Sequence, residues 1–151
     1  MPELEEKNIT VNRKARHDYF IVSTYEAGIV LVGTEVKSLR QHKANLLDSY
    51  AKIIDGEIWL IGAHINPYDQ GNIYNHDPLR KRKLLLNKNE IRKLTKLASE
   101  KGNTLVALRL YFKGGKIKVE LGVAKGKKSY DKREDIAKKD AIRSMERKVK
   151  L

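Results

Sequence analysis

Apolar positions change period midway through the stretch Tyr25-Glu-Ala-Gly-Ile-Val-Leu-Val-Gly-Thr-Glu-Val-Lys-Ser-Leu-Arg40. Ile29, Val30, Leu31 and Val32 form a run of strand length between Gly28 and Gly33. Beyond Gly33, Val36 and Leu39 fall three apart, as on one face of a helix, which leaves Lys37 and Arg40 off that face. Thr34 is the expected N-cap, with Glu35 in the first turn. The pattern predicts a buried strand that turns at a glycine into a short helix with a basic edge. Residue types alone favour a plain corner with solvated charges.

The rest of the chain alternates between strand and helix periods. Residues 1–11 mix acidic and polar types without a period and are expected to form a flexible arm. Asn12-Arg-Lys-Ala-Arg-His17 is basic and precedes a first strand, Tyr19 to Val22; it reads equally as a set of RNA contacts or a solvated loop. Ser49 to Ile54 and Glu57 to Ile61 predict a hairpin closed by Asp55-Gly56, with Trp59 expected in the core or at its boundary. His64 to Pro67 ends this meander, and Tyr68 to Tyr74 reads as loop. Asn75-His76-Asp77-Pro78 is turn chemistry; Arg80, Lys81, Arg82 and Lys83 follow as a basic cluster, and Leu84, Leu85 and Leu86 are expected to enter the core. That cluster is suited to phosphate contacts, or else is a solubilising strip.

Asn87 and Glu90 mark the start of a helix whose apolar face is Ile91, Leu94, Leu97 and Ala98, with Gly102 as its stop. Its role reads as structural. Two alternating strands follow around Gly114-Gly115. Val106, Leu108, Leu110 and Phe112 are expected on one face, with Arg109 and Tyr111 outward; Ile117, Val119, Leu121 and Val123 alternate with an outward Lys118. The pattern therefore predicts a mainly β protein, a small antiparallel barrel of residues 12–124 with two or three helices. Segment 125–151 holds eleven Lys or Arg against five Asp or Glu and a thin helical stripe of Ile142, Met145 and Val149. Such a basic tail is expected to become helical only against a polyanion.

Composition narrows the partners. A formal charge of +13 from 32 basic and 19 acidic side chains points to nucleic acid, because basic groups displace the counterions condensed on phosphates. An anionic membrane is the weaker alternative, since no segment joins a large apolar face to a basic one. The absence of cysteine excludes disulfides and thiolate metal sites and fits a cytoplasmic protein, as does an N-terminus without a secretory pattern. The pairs His17-Asp18 and His76-Asp77 are the only hint of a metal phosphohydrolase, and they lie in unlike surroundings. No phosphate loop, nucleophile elbow or His-Glu-x-x-His is present, so neither enzyme activity, metal nor cofactor is expected.

Three blocks carry a closer likeness: Glu26-Ala-Gly-Ile with Gly33-Thr-Glu-Val-Lys-Ser-Leu-Arg40, Asn75-His-Asp-Pro-Leu-Arg-Lys-Arg-Lys-Leu-Leu-Leu86, and Ala124-Lys-Gly-Lys-Lys-Ser-Tyr-Asp-Lys-Arg-Glu134. In order and spacing the chain resembles the SmpB (SsrA-binding protein) family of bacteria from Asn12 to Arg147. The resemblance implies an OB-like barrel that binds the tRNA-like part of transfer-messenger RNA, as a monomer on one RNA, and brings it to stalled ribosomes. It implies RNA contacts at Asn12, Arg13, Arg16, His17, Glu26, Lys118, Lys125, Lys127 and Lys128, beside the basic positions Lys37, Arg40, Arg80, Arg82 and Lys83. It also implies a tail whose Tyr130, Asp131, Lys132 and Arg133 meet the ribosomal decoding region and empty mRNA channel. Tyr130 stands where the family often has His, so stacking on a base is the expected role there rather than proton transfer. A general single-strand RNA-binding barrel with stacking aromatics is the alternative, for which only Tyr111 is a clear outward aromatic.

Overall fold

The computed structural model describes residues 5–71 and 75–127. Its elements follow in the order β1 (Glu6–Val11), α1 (Arg13–Asp18), β2 (Tyr19–Ile29), α2 (Gly33–Arg40), β3 (Ala44–Asn45), β4 (Tyr50–Ile54), β5 (Glu57–Ile61), β6 (His64–Ile65), β7 (Arg82–Leu85), α3 (Lys88–Ser99), β8 (Asn103–Lys113) and β9 (Lys116–Gly126). Antiparallel pairing runs β8–β4–β5–β7–β2–β9 and returns to β8, which closes an OB-like barrel. Closure removes the exposed sheet edges that an open sheet of this length would present. β3 and β6 pair separately. No helix among the described residues is long and apolar enough to cross a membrane.

Tight turns set the register. Asp55 and Gly56 both have positive φ, as do Gly114 and Gly115, the geometry that lets two residues reverse twisted strands. The β4–β5 and β8–β9 hairpins therefore form as expected. Asn87 caps α3 as predicted: its side chain accepts from the Glu90 N–H at 2.9 Å. Leu94 on that helix is fully buried in the main core, and Ile91, Leu97 and Ala98 pack against the same core from beside it. Trp59 lies half-buried on the barrel wall, since its neighbours Ile58 and Leu60 point inward.

Several expectations change. Residues 6–11 are not an arm; they form β1, which pairs with Arg109 to Lys113 of β8 alongside β4. The polar composition of β1 reflects a strand with one wet face, with Ile9 alone buried. The segment after Asn12 is a short helix rather than a loop. β2 runs on to Ile29, and Val30 and Val32 are exposed, so the apolar run is the end of a strand rather than a buried one. α2 begins at Gly33 without Thr34 as cap. Glu35 takes that task, accepting from the Val32 N–H at 2.9 Å, while the Thr34 hydroxyl meets His76 Nδ1 at 2.8 Å. Leu84 is buried but Leu85 is exposed, because β7 alternates.

A bulge at Leu108 alters the outer wall. Leu105 and Ala107 point into the main core before it, Leu110 and Phe112 after it, so both Leu108 and Arg109 lie outside. Val106 and Leu108 form a second small cluster with Ala15 and Ala124, which seats α1 on the outside of the barrel. The predicted common face of Val106, Leu108, Leu110 and Phe112 is thus split. Gly122 lies under this cluster: a Cβ there would sit 2.9 Å from Leu108 Cδ1 and 3.3 Å from Ile21 Cγ2.

Candidate nucleic-acid interface

Asn12 fixes the position of α1. Its Oδ1 accepts from the Ala15 N–H at 3.1 Å, and its Nδ2 donates to the carbonyls of Leu46 at 3.1 Å and Ala107 at 3.0 Å. Both amide hydrogens and the oxygen are engaged inside the protein, and the residue is buried. Asn12 is therefore a scaffold residue and not the RNA contact expected from the sequence. What it does is hold Arg13, Arg16 and His17 on the exposed side of α1, with Ala15 turned in. Arg16 reaches Glu120 at 3.8 Å, and His17 Nδ1 lies 3.0 Å from Asp18.

Beside α1, the outer wall of β1, β8, β9 and β2 carries a continuous charged network. Arg109 donates to Glu120 at 2.6 Å, to Asn8 at 2.8 Å and to Glu6 at 2.8 Å, and its guanidinium stacks 3.8 Å above the Tyr111 ring. The Tyr111 hydroxyl then donates to Glu26 Oε2 at 2.6 Å, and Lys113 donates to the same oxygen at 3.0 Å. The Tyr111 bond, with Lys113 behind it and Lys118 nearby, holds the Glu26 carboxyl below its usual value against a smaller opposing effect of burial. Burial and the adjacent carboxylate push the Tyr111 phenol up, so it stays a donor. Oε1 of Glu26 has no partner among the described residues, and its side chain is 37% exposed. Tyr111, 1% exposed, is no stacking platform, because Arg109 covers its ring.

At the other end of β2 the exposed aromatic is Phe20, which faces Lys125 across the β2–β9 ladder and has the Lys127 ammonium 5.3 Å from its ring. Phe20 was not among the residues expected from the sequence; the alternation Tyr19-Phe20-Ile21-Val22 was the signal that it lies outside. Lys125 is exposed, and Lys118 lies opposite Gly28 in the ladder. Lys128, Tyr130, Asp131, Lys132 and Arg133 fall outside the described residues.

The basic cluster after Pro78 is different. Arg82 is fully buried and donates to the equally buried Glu35, to the Ala63 carbonyl at 2.8 Å and to the Pro78 carbonyl at 3.1 Å. Arg80 donates to Glu35 at 2.6 Å and to the Val30 carbonyl at 3.2 Å. Burial alone would raise the Glu35 carboxyl, but Arg80, the Val32 N–H and Arg82 together hold it below the ordinary value. Lys83 pairs with Glu57 at 3.0 Å. Arg82 is thus a core residue and cannot touch RNA, and Arg80 is largely committed to Glu35. Strand alternation placed Arg82 inside, and the carboxylate of α2 made that tolerable. α2 keeps Lys37 and Arg40 exposed, with Lys37 5.4 Å from the Tyr68 ring.

The two His–Asp pairs have separate tasks. Both ring nitrogens of His76 are engaged, by Thr34 and by the Ile65 carbonyl at 2.9 Å, whereas His17 is exposed on α1. Among the described residues no group of three or more His, Asp or Glu side chains gathers as metal ligands would.

Comparison with known proteins agrees with this architecture. The SmpB protein family model matches residues 9–151. SsrA-binding protein of Acetivibrio thermocellus is 61% identical over 150 residues, 99% of this chain and 97% of that one. The protein of the same name from Geobacillus thermodenitrificans is 62% identical over 97% of this chain and 95% of its own. A solved structure described as "tmRNA-SmpB: a journey to the center of the bacterial ribosome" has a TM-score of 0.68 and 54% identity, covering 78% of this chain and 83% of that one. The chain belongs to the SmpB protein family.

Proposed function

We propose that the barrel binds the tRNA-like part of transfer-messenger RNA and delivers it to stalled bacterial ribosomes, acting in the cytoplasm as a monomeric RNA-binding protein without catalysis. The observation that carries this reading is Glu26. Its Oε2 is anchored by Tyr111 and Lys113, while Oε1 has no partner among the described residues, on a wall flanked by Arg16, Lys118 and Lys113. An ionised carboxylate repels phosphates, so its open oxygen on such a face serves RNA as an acceptor for base amino groups or 2′-hydroxyls. Arg13, Arg16, His17, Lys118, Lys125 and Lys127 supply the phosphate contacts that hold the RNA in register. A family whose relatives carry the name SsrA-binding protein fits this pairing of shape reading with charge. The burial of Tyr111 counts against a general stacking barrel for single strands.

The test is a titration of a folded tRNA-like RNA and an unstructured strand of equal length against the full chain. Preference for the folded RNA is expected; equal affinities would contradict the reading. In the same reading the tail probes the decoding region and empty mRNA channel, with Tyr130 stacked on a ribosomal base and Asp131, Lys132 and Arg133 beside it. Removing everything after Tyr130 takes away about +3 of charge and none of the described core residues. RNA affinity should persist while tagging of stalled chains in a reconstituted system fails.

A further inference from the structure

Several cations on the barrel have acidic partners: Lys14 with Asp48, Arg16 and Arg109 with Glu120, Lys43 with Asp69, Lys83 with Glu57, and Lys113 with Glu26. None of these pairs lies on α3, where four cations are gathered on one helix. Lys88, Arg92, Lys93 and Lys96 are all exposed, and none makes an ion pair with a described residue. Residues 88–101 hold five basic and two acidic side chains. Both acids have local tasks, Glu90 in the helix cap and Glu100 accepting from Asn103 at 3.4 Å.

The spacing of these cations is regular. Lys88, Arg92 and Lys96 recur every four residues, so their stems rise along one line of the helix in steps of about 6 Å. That is close to the step between successive phosphates of a nucleic-acid strand. They edge a shallow open groove of about 570 Å³, floored by Ile91, Thr95 and Ser99 and bounded by Gly56 of the β4–β5 turn. The groove cannot attract the chain's own basic tail or a second copy, since segment 125–151 and the whole chain are both strongly positive. An evenly spaced row of cations suits a repeating phosphate backbone better than the irregular carboxylates of an acidic protein.

We infer that α3 is a second phosphate-binding surface, which takes a strand of ribosomal RNA while the Glu26 wall holds the tRNA-like RNA. The inference rests on the proposed function, because a protein that carries one RNA to another needs two separate grips. α3 shares no residue with the wall around Glu26. It therefore has a task besides the bracing of the core by Leu94.

The experiment uses the full chain with Lys88→Gln, Arg92→Gln and Lys96→Gln combined, leaving the Asn87 cap and Leu94 intact. Binding to purified ribosomes and to the tRNA-like RNA is measured across a salt series. The logarithmic salt slope for ribosomes should fall by about three, roughly one for each phosphate no longer neutralised, while binding to the tRNA-like RNA is unchanged. An unchanged ribosome slope, or equal weakening for both ligands, would overturn the inference. A photo-crosslinking side chain at position 95, in the groove floor, keeps the question answerable if the triple variant folds poorly. Crosslinks to ribosomal RNA support the assignment; crosslinks to ribosomal protein, to transfer-messenger RNA or to nothing contradict it. Failure of the proposed function has a different signature, loss of the wild-type preference for folded over unstructured RNA.

Discussion

Glu26 and Glu35 lie nine residues apart in one sequence block, and each is held ionised by basic or hydroxyl donors, yet they occupy opposite environments. Glu35 is fully buried, and both its oxygens are taken by Arg80, Arg82 and the Val32 N–H. Glu26 is part-exposed, and only one of its oxygens is taken among the described residues. A buried carboxylate must have every lone pair answered, because an uncompensated charge in a low-dielectric interior is far costlier than one in water. A surface carboxylate has no such requirement, so a half-used one is available for recognition. The first locks α2 to β7; the second faces a partner.

The largest effect should come from breaking the buried knot. Arg82→Ala leaves Glu35 without its buried partner and should cost about 3–5 kcal/mol of stability in chemical denaturation. RNA affinity of the fraction still folded should be near normal, since Arg82 lies inside. Selective loss of RNA binding with unchanged stability would return Arg82 to the interface.

The acid limit should follow the same knot. Glu35 has a folded value below its ordinary 4.5. Its contribution is therefore complete above that ordinary value and is lost as pH falls through the lowered folded one. Glu35→Gln should weaken the protein at pH 7 and flatten the decline of stability below about pH 4.5. A decline as steep as in the wild type would place the acid-sensitive group elsewhere.

Tyr111→Phe removes the donor to Glu26 but keeps the ring under Arg109. It should cost roughly 1 kcal/mol, because the bond is to a charged but part-exposed acceptor. It should also let the Glu26 carboxyl rise toward the ordinary value, which side-chain NMR titration reads directly. A Glu26 titration unmoved by Tyr111→Phe would mean that Lys113 alone sets it. Smallest in stability is Glu26→Gln, expected within about 1 kcal/mol of wild type because the Lys113 pair is solvent-screened.

Much of this was legible in the chain. The barrel class followed from alternation around Gly114-Gly115 and Asp55-Gly56, and α3 from its cap and apolar stripe. Glu26 entered through family resemblance, since charge alone would never nominate it. The misreadings share a cause: burial is decided by tertiary partners that local pattern does not contain. Arg82 looked like surface until Glu35, 47 residues away, gave it a counter-charge. Asn12 looked like a base reader until the carbonyls of Leu46 and Ala107 arrived from distant parts of the chain. β1 had no visible period because only one of its residues is buried, and the Leu108 bulge swapped faces within a strand that reads as uninterrupted.

The contrast between the two glutamates is tested most directly by RNA binding of Glu26→Gln. Affinity for a folded tRNA-like RNA and for an unstructured strand is measured at several salt concentrations, beside the wild type. The account predicts a loss of about tenfold or more for the folded RNA alone, with an unchanged salt slope, because a hydrogen-bond acceptor and not a phosphate contact has been removed. Unchanged affinity, or an equal shift for both RNAs, would make Glu26 a structural partner of Tyr111 and Lys113 and nothing more.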